Sequence, residues 1–201
     1  MEKYIYKGKE EKVVLESALK ELNIPESEIL IKTKEEKGGL FSGKKVVIEI
    51  VKIEDISEFG KTILENILKG FNINGNIEKQ IRDKQISYKV YSDNNGILIG
   101  KNGKTLESIQ KYLKQSISAQ TGMYVNIILD IENYKEKRIK TLQEFASKKA
   151  KIVEKTGKMI TLEPMQAYER KVIHSFLQDN PNVETRSIGQ DPRRRIVISK
   201  K

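Results

Sequence analysis

The chain has 201 residues, a net charge of +10 and no cysteine, with 37% hydrophobic and 33% charged residues. The absence of cysteine excludes a disulfide framework and a thiolate metal site. No apolar run approaches the roughly 18 residues of a membrane helix, and the charge-rich N-terminus does not resemble a signal peptide. We therefore expect a cytoplasmic protein without membrane insertion.

Positive charge is concentrated in the last third of the chain. Residues 134–201 hold 17 basic and 8 acidic residues, whereas residues 1–59 hold 11 basic and 13 acidic residues. An uneven basic excess of this kind favours attraction of a polyanion by the C-terminal third. The alternative is a basic face that is simply solvated.

Residues 1–53 are predicted to form a small α/β unit. Its strand candidates are residues 4–6, 29–33 and 45–51. A helix at about 9–23 lies between the first two strands, and a glycine-rich turn that carries Leu40 and Phe41 joins the last two. Because this unit is acidic, Leu40 and Phe41 are predicted to contact a protein partner. Packing of Phe41 against its own strand is an equally good interpretation.

The second segment, residues 54–133, is predicted to contain, in order, a helix, two strands, a short helix, a loop, a long helix and a strand. Its first helix, at about 56–71, has a predicted apolar stripe of Ile56, Phe59, Ile63 and Ile67. The remaining elements are predicted at residues 75–81, 85–91, 96–99, 104–122 and 124–131.

The loop between the short and long helices has the sequence Gly100-Lys101-Asn102-Gly103 and follows Ile99. Two glycines without a Cβ atom let another backbone approach closely. Lys101 supplies positive charge, and the amides at the start of the next helix favour an anion. This pattern predicts a clamp on a nucleic-acid backbone.

One enzymatic alternative is a phosphate-binding P-loop, because Gly103-Lys104-Thr105 resembles the end of that motif. A P-loop requires a glycine five residues earlier, and this chain has Leu98 there. Only about twenty residues separate the loop from Asp130, which is too little for the parallel sheet of a nucleotide hydrolase. A P-loop enzyme is therefore not predicted.

The third segment, residues 134–201, begins with a lysine-rich helix at about 133–156. A short strand at 159–162 and a helix that opens at Pro164 are predicted to follow it. The two closing strands are predicted at residues 183–188 and 193–199.

Arg170 and His174 are four residues apart on the helix that opens at Pro164. Helical periodicity predicts that both face solvent or a ligand, opposite an apolar side formed by Met165, Tyr168, Val172 and Phe176. Strand alternation from Ile196 and Ile198 predicts Arg193 and Arg195 on an open face, with Arg186 nearby. The alternative is an exposed pair without a role. No metal site and no catalytic nucleophile are predicted, because the single histidine lacks partners at suitable spacing.

The second segment resembles a KH domain of the bacterial topology (type II), in which a three-stranded sheet backs three helices. The resemblance implies that the Gly-x-x-Gly loop holds about four nucleotides of single-stranded RNA. The residues that would meet the sugar-phosphate backbone are Gly100, Lys101, Asn102 and Gly103. The residues that would form an adjoining groove for the bases are Ile97, Ile99, Lys104 and Leu106.

The third segment resembles the Arg-x-x-x-His (R-three-H) nucleic-acid-binding domain. By this resemblance, Arg170 and His174 would bind phosphates or bases of single-stranded RNA or single-stranded DNA. Arg186, Arg193 and Arg195 would add positive charge.

The whole chain resembles the Jag family of bacteria, also called KhpB or EloR, and this predicts an α+β fold of three small domains. These are an N-terminal domain at 1–53, a KH domain at 54–133 and an R-three-H domain at 134–201. The resemblance implies a cytoplasmic RNA-binding protein without catalysis, cofactor or small-molecule substrate. It also implies post-transcriptional regulation linked to cell elongation, division and cell-wall synthesis.

The family resemblance further implies a small stand-alone KH protein (KhpA-like) as partner, and contacts with the cell-wall machinery. The alternative is a scaffold or adaptor of that machinery, with secondary binding of nucleic acid. Many members carry a long charged linker with a regulatory phosphosite after the first domain. That linker is nearly absent here, which puts phosphoregulation of this chain in doubt.

Overall fold

The computed structural model describes residues 1–36 and 45–201. It confirms the predicted α+β class, because helices and antiparallel or mixed sheets occur together along the chain. The described residues divide into two compact units, Met1–Glu132 and Asn133–Lys201. Leu40 and Phe41, the predicted protein-contact residues, lie outside the described residues.

The N-terminal part of the first unit is a three-stranded antiparallel sheet with one helix packed on it. Its elements are β1 (Tyr4–Gly8), α1 (Glu11–Leu22), β2 (Ile29–Glu36) and β3 (Lys45–Lys52). Strand β3 lies in the centre, paired with β1 on one side and β2 on the other. The apolar face of α1 and alternate strand residues form the core, which contains Val14, Ala18, Ile29, Ile48 and Ile50.

The second helix, α2 (Ile53–Gly70), follows β3 without a linker. Its buried stripe consists of Ile53, Ile56, Ser57, Gly60, Leu64 and Leu68. The predicted stripe is therefore rotated, and Phe59, Ile63 and Ile67 are only partly buried at its border. The reason is a close approach at Gly60, where an added Cβ atom would collide with the Tyr88 hydroxyl. Tyr88 fills the space beneath the helix and donates a hydrogen bond of 2.8 Å to the Ser57 carbonyl.

The second sheet carries three helices on one face, in the predicted element order. Its elements are β4 (Gly75–Arg82), β5 (Gln85–Ser92), α3 (Asn95–Ile99), α4 (Lys104–Thr121) and β6 (Asn126–Ile131). Strand β5 is antiparallel to β4 and parallel to β6. Because parallel neighbours need a crossover connection, α3, the glycine loop and α4 together span from β5 to β6.

The two sheets of the first unit are joined by a shared core. Val51 and Ile53 belong to the same buried cluster as the second sheet, and Leu30 packs against it. Lys32 on β2 donates a hydrogen bond of 2.9 Å to the carbonyl of Gly122, the residue that ends α4. A cation at a helix C-terminus interacts favourably with the helix dipole. The division at residue 53, predicted from sequence, remains a prediction.

The second unit consists of a three-stranded antiparallel sheet with two helices on one face. Its elements are α5 (Tyr134–Thr156), β7 (Ile160–Thr161), α6 (Ala167–Leu177), β8 (Val183–Ile188) and β9 (Arg195–Lys200). Strand β9 is central and β8 is an edge strand. The core unites both helices with the sheet, and its members include Leu142, Ala146, Ile173, Leu177, Val183, Ile196 and Ile198.

Helix α6 differs from its prediction in both start and orientation. It begins at Ala167 rather than Pro164, because Gln166 and Glu169 form a capping box at its N-terminus. Its buried residues are Glu169, Arg170, Ile173 and Leu177. Phe176, which the apolar periodicity places in the core, is 44% exposed. Two charged side chains, Glu169 and Arg170, therefore share the inner side of this helix with Ile173 and Leu177.

No helix among the described residues combines the length and the apolar character needed to cross a bilayer.

Candidate nucleic-acid interface

The Gly-x-x-Gly loop is a tight turn whose backbone conformation favours glycine at both ends. Gly100 has φ +70° and Gly103 has φ +75°, and Asn102 between them also has a positive φ of 55°. A Cβ atom at Gly100 would in addition collide with the side chain of Thr105 in the first turn of α4. Only glycine satisfies both the backbone angle and this close packing at position 100.

Hydrogen bonds hold the loop against the ends of two helices. The Gly100 amide donates to the Gly96 carbonyl at 2.9 Å, and the Gly103 amide donates to the Gly100 carbonyl at 3.3 Å. Lys101 is exposed, whereas Gly103 is buried. The turn therefore presents one cation to solvent from a constrained backbone, directly before the N-terminus of α4.

The predicted groove residues lie on the two helices that flank the loop. Ile97 is 43% exposed on α3, and its neighbour Leu98 is buried and anchors that helix. Ile99 and Leu106 are partly buried against the core. Lys104, the first residue of α4, is exposed. The structure thus brings exposed aliphatic surface and two lysines to the same loop and its flanking helices.

The P-loop alternative does not fit this geometry. Leu98, at the position where that motif requires a glycine, is a buried helical residue. The neighbouring sheet has one parallel and one antiparallel pairing. Among the residues that the structure describes, no group of three or more His, Cys, Asp or Glu side chains could hold a metal ion.

The prediction that Arg170 faces solvent is wrong. Arg170 is only 6% exposed. Its Nη1 atom donates to the Met165 carbonyl at 2.7 Å and to Asp191 Oδ1 at 3.3 Å. Next to it, Glu169 is fully buried and accepts a hydrogen bond of 2.8 Å from Arg138 on α5. A buried charge requires a partner, and these contacts supply one to each of the two buried side chains.

His174 is exposed, as predicted, and its ring is held by a neighbouring strand. The Nδ1 atom lies 2.6 Å from the Thr185 hydroxyl oxygen on β8. With Nδ1 occupied in this way, Nε2 is the ring nitrogen that remains for a ligand.

The predicted basic site is divided between two sides of the C-terminal sheet. Arg186 pairs with Val197, and Arg195 pairs with Ile188, on the face opposite α5 and α6. Thr185, the partner of His174, is paired with buried Ile198 and therefore faces the helices. His174 consequently lies on one side of the sheet, and Arg186 and Arg195 lie on the other.

Arg193 does not belong to a strand. Its amide donates to the Gln190 carbonyl at 2.8 Å, so it lies in a turn, and β9 begins two residues later than predicted. Gly189, with φ +84°, allows this turn. Strand alternation therefore predicts the side of Arg195 but gives no information about Arg193.

Arg194 belongs to the same basic run as Arg193 and Arg195 but was not among the predicted site residues. Arg194 is exposed, and its Nε atom donates a hydrogen bond of 3.0 Å to the Ser187 hydroxyl on β8. Ser187 is paired with buried Ile196, so it lies on the same side of the strand as Thr185. Alternation counted back from Ile196 would predict burial for position 194. The turn before β9 explains why the position is exposed.

Comparisons with known proteins agree with this architecture. A KH domain family model matches residues 62–138, and an R-three-H domain family model matches residues 140–200. The chain is 34% identical to the RNA-binding protein KhpB of Bacillus subtilis (strain 168) over 193 residues, which cover 93% of each chain. It is also 34% identical to the RNA-binding protein KhpB of Clostridium symbiosum over 160 residues, 79% of this chain and 72% of that relative. The chain therefore belongs to the KhpB family, the Jag family that its motifs resemble.

Proposed function

We propose that this protein binds single-stranded RNA through the Gly100–Gly103 loop, with a second, basic site on the C-terminal unit. The observation that carries the proposal is the conformation of the loop, which keeps two glycines at positive φ beside an exposed lysine. The relatives with the best coverage are named RNA-binding proteins, and both matched domains are binding domains. We expect no catalytic activity.

The loop binds through the phosphate backbone. Lys101 is exposed on the constrained turn, where it can neutralise the charge of a phosphate that reaches the loop. Ile97 and Leu106 offer aliphatic contact to the bases beside it. Because the chain has no tryptophan and only 6% aromatic residues, base stacking contributes little, and we expect modest sequence preference.

The cellular part of the proposal follows the family resemblance. We assign the protein to post-transcriptional regulation in the cytoplasm, connected to elongation, division and cell-wall synthesis. A small stand-alone KH protein and proteins of the cell-wall machinery are its expected partners. On the C-terminal unit, the proposed contacts come from the basic side chains and histidine described above.

The double variant Lys101→Asp, Asn102→Asp tests the loop. It places two like charges against the phosphates, so we expect the affinity of the full chain for a labelled oligouridylate to fall at least tenfold. The matched control is Lys69→Asp, Asn72→Asp, which makes the same charge change at the end of α2 and also alters an asparagine at positive φ (53° at Asn72, 55° at Asn102). Equal affinities of the two variants would contradict the proposal.

The same variant distinguishes the function of an RNA-binding regulator from that of a scaffold protein. If RNA binding carries the cellular role, the loop variant loses both RNA binding and the complementation of a deletion strain. A variant that loses RNA binding but restores normal cell shape would favour the scaffold function. Folding of each variant is checked by its thermal unfolding midpoint.

A further inference from the structure

The N-terminal sheet has an open edge at strand β1. Within the described residues, β1 pairs with β3 on one side only, so no strand meets the backbone groups of its other edge. Alternation along the strand places Ile5 and Lys7, together with Lys3 just before it, on the face away from α1. Ile5 is 59% exposed. An open edge of this kind accepts an extended segment of another chain through backbone hydrogen bonds.

A groove runs beside this edge, between β1 and helix α1. It has a volume of about 400 Å³, and its lining includes Tyr6, Gly8, Val13 and Ser17. Val13 is apolar and yet 56% exposed. An added Cβ atom at Gly8 would collide with Val14, so glycine at the end of the strand permits the close approach of the helix. Alternate side chains of a strand added to β1 would point into this groove.

The outer face of the sheet, on the side away from α1, carries an excess of positive charge. Lys7 forms an ion pair of 3.0 Å with Glu36 on β2. Lys34 forms an ion pair of 2.6 Å with Glu49 on β3. Lys3 adds a further positive charge to the same face, so lysines outnumber glutamates there. This charge favours an acidic partner at the β1 edge.

A second copy of this chain is poorly suited to the same edge. Two copies of β1 related by a twofold axis would pair antiparallel, with equivalent faces on the same side. Pairing centred on Ile5 sets Lys3 against Lys7 of the other copy. Pairing centred on Tyr6 sets Lys3 against Lys9, and pairing centred on Lys7 sets that residue against its own equivalent. Like charges directly opposite each other destabilise a sheet, so the edge suits an acidic strand better than itself.

We propose that the β1 edge is a docking site for an extended, acidic segment of another protein, which joins the N-terminal sheet as a fourth strand. On the outer face, the side chains opposite Lys3 and Lys7 are acidic and the one opposite Ile5 is apolar. The remaining side chains point toward α1, where apolar residues fit the groove beside Tyr6 and Val13. This inference goes beyond RNA binding and does not depend on it.

Synthetic peptides test the docking site on the full chain. The probe contains the palindromic core Glu-Val-Val-Val-Glu, which matches Lys3, Ile5 and Lys7 in either strand direction. We expect it to shift the backbone amide NMR signals of residues 4–8 and of Val13. A core with lysine in place of glutamate should bind about tenfold more weakly, because its charges oppose those of the edge. A core with proline at the centre keeps the charges but interrupts the ladder, and it should lose about as much.

A charge exchange tests the two lysines of the edge. The double variant Lys3→Glu, Lys7→Glu should prefer the lysine peptide to the glutamate peptide, the reverse of the unmodified chain. The matched control Lys69→Glu, Lys84→Glu makes the same charge change at exposed positions outside β1 and α1, and it should keep the original preference. Both variants should bind a labelled oligouridylate with equal affinity. Thermal unfolding midpoints, followed by circular dichroism, check that both remain folded.

The other outcomes contradict the inference in distinct ways. Absent binding of the glutamate peptide, or equal binding of the three peptides, excludes strand addition at this edge. Amide shifts of residues 4–8 that follow protein concentration without peptide would place a second copy there instead. Shifts of the same amides by oligouridylate, without an effect of the peptides, would make β1 an RNA contact. A chain that binds the glutamate peptide but fails to bind oligouridylate contradicts only the proposed function.

Discussion

At the scale of single residues, the Gly-x-x-Gly turn depends on two glycines at positive φ, and the C-terminal unit contains an arginine held inside it by Asp191. The importance of Gly100 and Gly103 could be predicted from the sequence, because only glycine combines close approach with a positive φ. The burial of Arg170 could not be predicted from the sequence, because helical periodicity assigns the buried side of a helix from its apolar residues. The partner that holds Arg170 inside, Asp191, comes from a turn 21 residues further along the chain.

Replacing Gly100 by alanine tests the requirement for glycine in the loop. Gly122 has the same φ of +70°, but an added Cβ atom there meets only the movable end of Lys32. Gly122→Ala should therefore lose about 1–2 kcal/mol of unfolding free energy for the left-handed conformation alone. Gly100→Ala should lose more for two reasons: the ψ of −178° at Gly100 belongs to a region that essentially only glycine adopts, and Thr105 also blocks the added carbon. It should also weaken RNA binding. Urea unfolding of both variants measures the difference. A loss at Gly100 no larger than at Gly122 would show that the loop accommodates the methyl group and does not require glycine at position 100.

At the scale of elements, the predicted order was correct, and the errors concern where elements begin and which side the helices bury. Helix α2 starts at Ile53, before its predicted start, because β3 passes into it directly. Its buried side was misjudged because Gly60 contributes no apolar side chain to the pattern. Glycine at this position nevertheless marks the point of closest approach to Tyr88.

Helix α2 is also tied to β4 by a charged cluster. Lys79 on β4 contacts Glu54 and Glu58, and it donates a hydrogen bond of 3.2 Å to the Ser57 hydroxyl. Burial tends to lower the pKa of Lys79, but the hydrogen bonds to the two carboxylates outweigh it and raise the pKa overall. The hydrogen bond from Lys79 lowers the pKa of Glu58.

This cluster predicts a stability change in acid. A carboxyl group with a lowered pKa in the folded state stabilises the protein above its ordinary pKa, and this contribution is lost as the pH falls through the lowered value. Glu58→Gln should therefore be less stable than the unmodified protein at neutral pH, and the difference should shrink in acid. Urea midpoints across this pH range measure the effect. Glu65→Gln on the same helix, 3.9 Å from Lys61, is the control, and equal pH profiles for both variants would exclude the cluster as the cause.

At the scale of the whole molecule, the sequence predicted three domains, whereas residues 1–132 form one compact unit in the structure. The predicted boundary was placed after residue 53, but Val51 and Ile53, which precede it, are buried in the core of the second sheet. Which buried residues two neighbouring sheets share depends on tertiary packing, and no local pattern reports it. The second compact unit begins at Asn133, directly before α5.

Truncation tests whether residues 54–133 fold independently. A fragment of residues 54–133 would lose Val51, Ile53 and Leu30 from its core, as well as the bond from Lys32 to Gly122. We expect it to unfold at a lower urea concentration than a fragment of residues 1–133, because lost apolar burial costs roughly 25 cal/mol per Å². Lys32→Ala in the longer fragment isolates the contribution of the hydrogen bond. Equal midpoints for the two fragments would support three independent domains.

The division of the arginines between two sides of the C-terminal sheet limits the path of a polynucleotide. Arg186 and Arg195 are on one side, and His174 and Arg194 are on the other, with only the edge strand β8 separating them along the rim. A short oligomer can touch one side at a time. An RNA that engaged both sides would have to wrap around the rim of the sheet, which a flexible, unpaired strand can do and a stiff double helix cannot.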